Sequence, residues 1–215
     1  DLALSQALQD ADVRTQIIPW EEFFSSGVDC TNVIFRTAWG YYRKIPEFKK
    51  FLEDLSRASI SVWNPLDTIR WNLHKRYLLQ LEKKGIPIIP TVMVEKGKPL
   101  RLIENAEYLD TDLLVIKPAI GASGIHTQLI DLAKIKDQTG ELTELNKQHD
   151  LLVQPFVSEI QSEGEYSLIF IDNEFTHCIL KRPQEKGFIV KGTPHKISCP
   201  PRALNAAKKI LHTAY

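Results

Sequence analysis

The sequence predicts an α/β unit with a small parallel sheet, followed by a larger, strand-rich α+β unit. Short β-branched segments alternate with a helix through the first 63 residues, and this alternation is typical of a parallel sheet. In the second half, two strand-forming segments flank Asp172 and Asn173, a two-residue pair that favours a tight hairpin. The composition is that of a globular chain, because 43% of the 215 residues are hydrophobic and 25% are charged.

The first predicted part, residues 1–64, is a partial α/β unit. The spacing of Leu2, Ala3, Ala7 and Leu8 indicates that the chain begins inside a helix. Strands are expected at 15–18, 32–36 and 60–63, where β-branched runs end at turn residues. A helix is expected over 46–58, where four apolar residues recur at helical spacing: Phe48, Phe51, Leu52 and Leu55.

Residues 65–92 are predicted to connect this unit to the next. An amphipathic helix is expected over 66–84, with Gly85 after its carboxyl end, where a left-handed conformation is favoured. The segment 86–91 contains Pro87 and Pro90, which restrict it to a linker or an edge strand. This segment is the best candidate in the sequence for a domain boundary.

The rest of the chain is divided into two predicted subdomains, 93–157 and 158–215. Apolar, β-branched runs predict strands at 113–116, 151–154, 166–171, 174–180 and 188–191. An amphipathic pattern predicts a final helix over 203–215. This half therefore combines strands and helices without the strict alternation of the first.

Charge and cysteine content exclude several classes of partner. Lys and Arg number 27 and so do Asp and Glu, so no overall field attracts nucleic acid or an anionic membrane. No run of about 18 apolar residues is present that could span a bilayer. Three widely spaced cysteines, Cys30, Cys178 and Cys199, favour a reducing cytoplasm over a disulfide framework. We expect a cytoplasmic protein with small-molecule partners, and a homo-oligomer is compatible with the composition.

The two ends of the chain suggest a fragment. Residue 1 is Asp rather than Met, and no charged segment followed by an apolar one marks a signal peptide. Since the chain begins inside one predicted helix and ends inside another, we expect it to be truncated at both ends. A complete protein with frayed ends is the alternative.

A glycine-containing loop, residues 121–127, follows the predicted strand at 113–116. It includes Gly121, Ser123 and Gly124, and glycines allow backbone N–H groups to approach phosphate oxygens closely. The spacing matches neither a Walker loop nor a dinucleotide-binding fingerprint. Taken alone, it favours an ordinary hairpin turn over a phosphate-binding loop.

Two lysines are candidate phosphate ligands. Lys117 ends an apolar strand, where a lysine requires either an anionic partner such as phosphate or a route by which it snorkels to solvent. Lys75 lies on the predicted helix beside Arg76 and, taken alone, indicates a solvated face. His126 and His195 have no acidic or cysteine neighbour at ligand spacing, so both are predicted to be structural or surface residues.

Together these segments occur in an informative order. A helix with Lys75 precedes the proline segment, the strand with Lys117 and the glycine loop. The run Gln154, Pro155, Phe156 and Val157 follows, and then a hairpin that ends at Lys181, Arg182 and Pro183. This order resembles the ATP-grasp superfamily, in the branch similar to glutathione synthetase, RimK-type ligases and the cycloserine-forming ligase. The resemblance covers about residues 32–192 and rests on the ordered set.

The resemblance implies an ATP-grasp fold, in which a small parallel α/β pre-domain precedes two α+β subdomains that clamp ATP. It implies that Lys75 and Lys117 hold the phosphates, and that the loop with Gly121, Ser123 and Gly124 closes over them. Residues 154–157 match the hinge that contacts adenine, and Glu165 matches an acid near the ribose.

The activity implied by the resemblance is that of an ATP-dependent carboxylate–amine ligase. ATP would convert a small-molecule carboxylate into an acyl phosphate, and an amine or a related nucleophile would then attack it. Arg182, with Lys181 beside it, matches a basic residue that meets the transferred phosphate. A small-molecule kinase and a nucleotide-binding module without turnover are the alternatives.

Mg²⁺ is implied together with ATP, but the sequence does not contain the expected ligands. Relatives carry an acid followed by Glu-x-Asn on strands after the hairpin, whereas residues 194–215 contain no Asp or Glu. The metal ligands are therefore expected beyond Tyr215. Two further departures from the family pattern are Ser167, where many relatives have arginine, and Gly40, where the nearest branch has an acid.

Overall fold

The structure is a computed structural model that describes residues 1–137, 139–183 and 195–214, with only the backbone described for residues 136, 137 and 214. The chain divides into two compact units, Asp1–Leu73 and His74–Tyr215. This division falls inside the range 65–92 that the sequence assigns to a connecting segment, and the four ranges drawn from the sequence stay predictions. Within the described residues, no helix is both long enough and apolar enough to cross a bilayer.

The first unit is built on a two-stranded parallel sheet. Its regular elements are α1 (Leu2–Asp10), β1 (Asn32–Ile34), a 3₁₀ turn (Tyr41–Arg43), α2 (Ile45–Arg57), β2 (Ser61–Trp63) and α3 (Leu66–Leu73). β1 and β2 run parallel, with Val33 opposite Val62, so the predicted parallel sheet is confirmed. The predicted helix over 46–58 is confirmed as α2, which begins one residue earlier and has Pro46 in its first turn.

An aromatic core fixes α2 in this unit. Phe48, Phe51, Leu52 and Leu55 are each at most 7% exposed, as their helical spacing predicts. The ring of Trp20 meets Phe48 edge-on, with centroids 5.1 Å apart. The strand predicted at 15–18 is wrong, because this segment has no regular structure. The Thr15 hydroxyl instead hydrogen-bonds the Ser5 hydroxyl at 2.7 Å, which ties the segment to α1 rather than to a sheet.

The second unit contains two antiparallel sheets and five helices within its described residues. Its elements are α4 (Tyr77–Lys83), β3 (Val92–Val94), α5 (Leu102–Leu109), β4 (Leu113–Pro118), β5 (Gln128–Asp131), a 3₁₀ segment (Leu132–Asp137), α6 (Thr139–Asn146), β6 (Leu151–Pro155), α7 (Glu159–Ser162), β7 (Glu165–Ile171), β8 (Glu174–Lys181), β9 (His195–Ile197) and α8 (Pro201–Ala214). The sheets have the strand orders β3-β6-β4-β5 and β7-β8-β9.

The four-stranded sheet has two different faces. One face packs with α5 and α6 in a core whose most buried members are Leu114, Ile116, Ile130, Leu142, Leu151 and Val153, all 0% exposed. Side chains alternate along β4, so Val115 and Lys117 lie on the opposite face, across the sheet from Gln154 and Leu152. The core face therefore fixes the sheet, and the other face presents Lys117.

Several further predictions can be compared with the second unit. The hairpin is confirmed, and Asp172 and Asn173 have φ values of 51° and 62°, as a tight two-residue turn requires. The strands at 113–116 and 151–154 and the final helix are confirmed as β4, β6 and α8. The strand predicted at 188–191 lies outside the described residues. β3, β5, β9, α5, α6 and α7 were not predicted, since these short segments carry no strong start or stop signals.

Candidate nucleotide site

The helix predicted over 66–84 is interrupted at His74, Lys75 and Arg76, and this interruption positions Lys75. α3 ends at Leu73 and α4 begins at Tyr77. The Lys75 backbone N–H donates to the carbonyl of Ala119 at 2.9 Å, beyond the end of β4, instead of continuing a helical ladder. The prediction of an uninterrupted helix is therefore wrong, because a tertiary hydrogen bond to the sheet replaces the helical one.

The Lys75 side chain contacts the glycine loop. Its Nζ donates to the Gly121 carbonyl at 2.7 Å, and the side chain is half-buried rather than on a solvated face. Burial, together with the nearby positive charge of Lys117, lowers the pKa of Lys75 from 10.5 to about 8. The two lysines that the sequence singled out are thus neighbours in the structure.

Lys117 lies on β4, on the sheet face that points away from the core. Burial lowers the pKa of Lys117, while the carboxylate of Glu165 acts in the opposite direction. Two ammonium groups that are partly removed from water and repel each other are unfavourable in the absence of an anion. The pair is therefore suited to hold a multiply charged anion.

The loop 121–127 contains three residues with left-handed backbone conformations. Ser123, Gly124 and His126 have φ values of 55°, 68° and 56°. Two consecutive turns follow from the N–H of Ile125 to the carbonyl of Ala122 and from the N–H of Thr127 to the carbonyl of Gly124. The loop joins the antiparallel neighbours β4 and β5, so it is also a hairpin connection, as one alternative expected. Turns that contain such left-handed residues can direct backbone N–H groups toward an anion.

The side chain of Gln154 has a structural partner. Gln154 is 4% exposed, and its amide nitrogen donates to the Thr91 hydroxyl at 2.8 Å, which ties β6 to the residue that precedes β3. The Gln154 side chain therefore has a structural role, and the residues that follow it are the candidates for contact with a ligand. Pro155, Phe156 and Val157 are partly exposed at the end of β6.

Two prolines end the ladder between β3 and β6. The register pairs Val92 with Val153, so the next hydrogen-bonded pair would be Pro90 with Pro155. Neither proline has an N–H, so the ladder stops and the Pro155 carbonyl faces away from β4 without a donor from β3. On the other side of the strand, the Phe156 N–H donates to the carbonyl of Leu113 at 2.9 Å. The next N–H on the open side is that of Val157.

Residues at the start of β7 and the end of β8 complete the cluster. Glu165 lies opposite Lys181, and the Lys181 Nζ is 3.7 Å from the Glu165 Oε1. Arg182 donates through Nε to the carbonyl of Glu163 at 3.4 Å. Because Glu165 also influences Lys117, its carboxylate lies near the cations of both strands. The structure thus brings Glu165, Lys181 and Lys117 together, with Arg182 adjacent.

Gly164 fixes how these two strand ends meet. Its φ is +101°, and a Cβ there would lie 2.5 Å from the carbonyl oxygen of Lys181. Only glycine tolerates both the backbone conformation and this approach. The sequence shows Gly164 between two glutamates, but nothing local indicates that another strand lies this close.

Sequence reasoning missed a second set of residues, centred on Asp150. Its carboxylate accepts the backbone N–H of Lys96 at 2.8 Å, lies 3.1 Å from the Nε2 of His74 and lies 3.6 Å from an Nη of Arg76. Burial acts to raise the pKa of Asp150, but these partners outweigh it and hold the pKa below its ordinary value. His74 and Asp150 are 76 residues apart, so no local spacing connects them.

The described residues were also compared with the requirements of a metal site. Across residues 1–137, 139–183 and 195–214, no group of three or more His, Cys, Asp or Glu side chains is placed to hold a metal ion. His126 and His149 stack with ring centroids 6.5 Å apart, but an acidic or cysteine side chain does not complete the pair in this part of the chain. The described residues therefore do not fit a magnesium site.

Comparison with known proteins gives one relative and many similar structures. Residues 1–64 match the family model described as D-cycloserine synthetase DcsG, N-terminal domain. The cycloserine biosynthesis protein DcsG of Streptomyces lavendulae is 27% identical over 184 residues, which are 83% of this chain. The chain spans 60% of the length of that relative.

The structural likeness extends over both units. The crystal structure of D-cycloserine synthetase DcsG matches with a TM-score of 0.86 and 24% identity, over 98% of this chain and 74% of that one. A RimK domain ATP-grasp protein from Sphaerobacter thermophilus matches with a TM-score of 0.64 and 17% identity, over 87% of this chain and 66% of that one. The resemblance predicted from the sequence is confirmed, and the fold is that of ATP-grasp proteins.

Proposed function

We propose that this chain supplies the ATP-binding part of a ligase that activates a carboxylate as an acyl phosphate and joins it to an amine or a related nucleophile. The observation that carries the proposal is the pair of partly buried lysines, Lys75 and Lys117, next to the loop 121–127 in an ATP-grasp fold. A polyphosphate neutralises both cations, and the positive charges in turn stabilise the charge that spreads over the transferred phosphoryl group.

The adenine base is assigned to the end of β6. The Pro155 carbonyl would accept a hydrogen bond from the exocyclic amine of adenine, and the Val157 N–H would donate to the ring nitrogen next to it. The supporting observation is the double-proline end of the ladder, which leaves this carbonyl without a donor from β3. Phe156 would provide apolar surface beside the ring, and Glu165 would accept a hydrogen bond from a ribose hydroxyl.

The reaction would proceed in two displacements. A carboxylate oxygen of the substrate attacks the γ-phosphorus of ATP, the bond to the bridging oxygen breaks and ADP leaves. The nucleophile then attacks the acyl carbon, and inorganic phosphate leaves with the electrons of the acyl–oxygen bond. Lys181 and Arg182 would contact the transferred phosphate, because their positive charges lie beside the Glu165 end of the cluster.

Magnesium belongs to the proposal for the reaction, because a hard cation suits phosphate oxygens and carboxylates. The described residues provide no cluster for it, so no residue here is assigned as a metal ligand. The expectation that its ligands lie beyond Tyr215 stays a prediction. For the substrate, the name of the matched relative favours a small carboxylate derived from an amino acid. We place the reaction in the cytoplasm, since free thiols such as Cys178 suit a reducing compartment.

Binding is tested by comparing Lys117→Met with Lys147→Met. Lys147 is a surface lysine 2.6 Å from Glu144, so its replacement removes a positive charge away from the proposed site. Lys117→Met is expected to weaken ATP binding by about 10- to 150-fold and to leave adenosine binding unchanged, as loss of a charge-assisted phosphate contact predicts. Equal ATP affinity in the two variants would overturn the phosphate assignment.

Turnover is tested by product analysis with Mg-ATP and a panel of carboxylates and amines. A ligase forms ADP and inorganic phosphate only when both substrates are present. A stable phosphorylated product would identify a kinase instead. If the complete protein binds ATP but forms no ADP, it is a nucleotide-binding module. If the chain binds no adenine nucleotide, the proposal is wrong.

A further inference from the structure

Asp150 lies directly before β6, and its carboxylate contacts His74 and Arg76, the residues on either side of Lys75. Its Oδ1 accepts the N–H of Lys96 at 2.8 Å, and its Oδ2 lies 3.1 Å from His74 and 3.6 Å from Arg76. These four residues, His74, Arg76, Lys96 and Asp150, are called the Asp150 network below. No part of the proposed chemistry uses them.

The hydrogen bonds of His74 show how it takes part in the network. The backbone N–H of Arg76 donates to the Nδ1 of His74 at 3.1 Å, so Nδ1 is an acceptor and Nε2 carries the proton. The Nε2–H therefore donates to the Asp150 carboxylate. His74 thus links the Asp150 carboxylate to the backbone N–H of Arg76. The residues directly before and after Lys75 are therefore both held in place.

The backbone of Asp150 acts at the same point as its side chain. The carbonyl of Asp150 accepts the N–H of Ala119 at 2.8 Å, and the carbonyl of Ala119 accepts the N–H of Lys75 at 2.9 Å. One residue thus holds Ala119 through its backbone and the neighbours of Lys75 through its carboxylate. This arrangement leaves Lys75 little freedom except along its side chain, whose Nζ reaches the carbonyl of Gly121.

We infer that Asp150 is a positioning residue for phosphate binding, which fixes the helix interruption so that the Lys75 ammonium lies over the glycine loop. The inference rests on the proposed function, because it assigns Lys75 to the phosphates of ATP. Asp150 does not touch ATP in this view. It acts through His74, Arg76 and Lys96. Without these contacts, Lys75 would be expected on the solvent-exposed face of a continuous helix, as the sequence pattern predicts.

The test combines a binding measurement with a ligand-free one in the 215-residue chain. Asp150→Asn keeps the size of the side chain and removes its charge, and His74→Leu breaks the same network from the other side. Asp131→Asn is the matched control, since Asp131 also accepts a backbone N–H and pairs with a lysine, but at the end of β5. ATP and adenosine affinities are measured for each variant, together with hydrogen exchange of the Lys75 amide.

Asp150→Asn and His74→Leu should each weaken ATP binding about tenfold and leave adenosine binding unchanged, and the Lys75 amide should exchange about tenfold faster. The double variant should lose no more than either single variant, because both break one network. Asp131→Asn should match the wild type in all three measurements.

The inference would be overturned by wild-type exchange of the Lys75 amide in Asp150→Asn, whatever happens to ATP. It would also be overturned by equal losses of ATP and adenosine affinity, since these indicate general damage to the fold. A failure of the proposed function has a different signature, because Lys75→Met would then leave ATP affinity unchanged while the exchange of the Lys75 amide still responded to Asp150.

Discussion

At the scale of the residue, Lys75 combines a lowered pKa with a fixed position. Its folded-state pKa of about 8 lies below the 10.5 of an unfolded lysine. Between these pH values the unfolded chain binds more protons than the folded one, so the free energy of unfolding rises with pH in that window. Phosphate would bind the protonated form of Lys75, but burial and the charge of Lys117 disfavour that form when no ligand is bound.

This opposition predicts a pH dependence of ATP binding. As the pH rises from 7 to 9, Lys75 loses its proton, and the Kd for ATP should increase about tenfold. In Lys75→Arg the guanidinium stays charged, so the increase should be much smaller. Isothermal titration at several pH values measures both. A parallel increase in the two proteins would assign the titration to another group.

The sequence predicted some residues of the site better than others, for physical reasons. Lys117 was recognisable because a lysine at the end of an apolar strand must be accommodated somehow, and Gly121 and Gly124 because glycine marks unusual backbone. Lys75 was named through the family resemblance, but its helical pattern wrongly predicted a continuous helix. Asp150 was missed, because its partners His74 and Lys96 are brought to it by the sheet rather than by sequence spacing.

At the scale of the element, the two strand ends at Gly164 depend on the absence of a side chain. Gly164→Ala would place a Cβ 2.5 Å from the Lys181 carbonyl oxygen and is expected to destabilise the fold by about 2–3 kcal/mol. The melting midpoint should fall by about 5–10 °C in thermal unfolding followed by circular dichroism.

Gly97→Ala is the matched control for that prediction. Gly97 also has a positive φ, +74°, but a Cβ there would meet nothing within 4 Å. It should cost only the conformational strain, about 1 kcal/mol. If the two variants have the same midpoint, the close approach of residue 164 to the Lys181 carbonyl adds nothing to the cost of the substitution.

The end of the β3–β6 ladder gives a prediction for binding. Pro90→Ala supplies an N–H opposite the Pro155 carbonyl, so that carbonyl can join the ladder instead of accepting from adenine. ATP and adenosine affinities should both fall, by about five- to tenfold. Pro87→Ala, in the same segment but three residues before Pro90, should leave both affinities unchanged. A wild-type affinity in Pro90→Ala would contradict the assignment of adenine to the end of β6.

At the scale of the whole molecule, the fold class was predictable and the detailed connections were not. The alternation of strand and helix in the first unit and the Asp172–Asn173 turn in the second are local signals, and both are confirmed. The strand order β3-β6-β4-β5 depends on pairings across long loops, which hydrophobic patterns do not specify. β5 and β9 become strands because they have a partner in a sheet, not because their sequences require it.

Ligand binding should be visible in the stability of the whole chain. ATP at about 100 times its Kd should add roughly 2.7 kcal/mol to the free energy of unfolding. For a chain of this size the melting midpoint should rise by about 5–10 °C. Adenosine should give a smaller rise at the same concentration, since it lacks the phosphates that Lys75 and Lys117 would neutralise. Identical midpoints with and without ATP would contradict nucleotide binding.

The paired prolines at the end of the ladder also bear on which purine is accepted. Adenine presents a donor next to an acceptor on the edge that would meet the Pro155 carbonyl and the Val157 N–H, whereas guanine presents the opposite order. With GTP, the Pro155 carbonyl would face the guanine O6, which is also an acceptor. The Val157 N–H would face the guanine N1–H, which is also a donor. Since this discrimination would reside in main-chain atoms and in the missing N–H of Pro90, base selectivity would persist even where the side chains around it change.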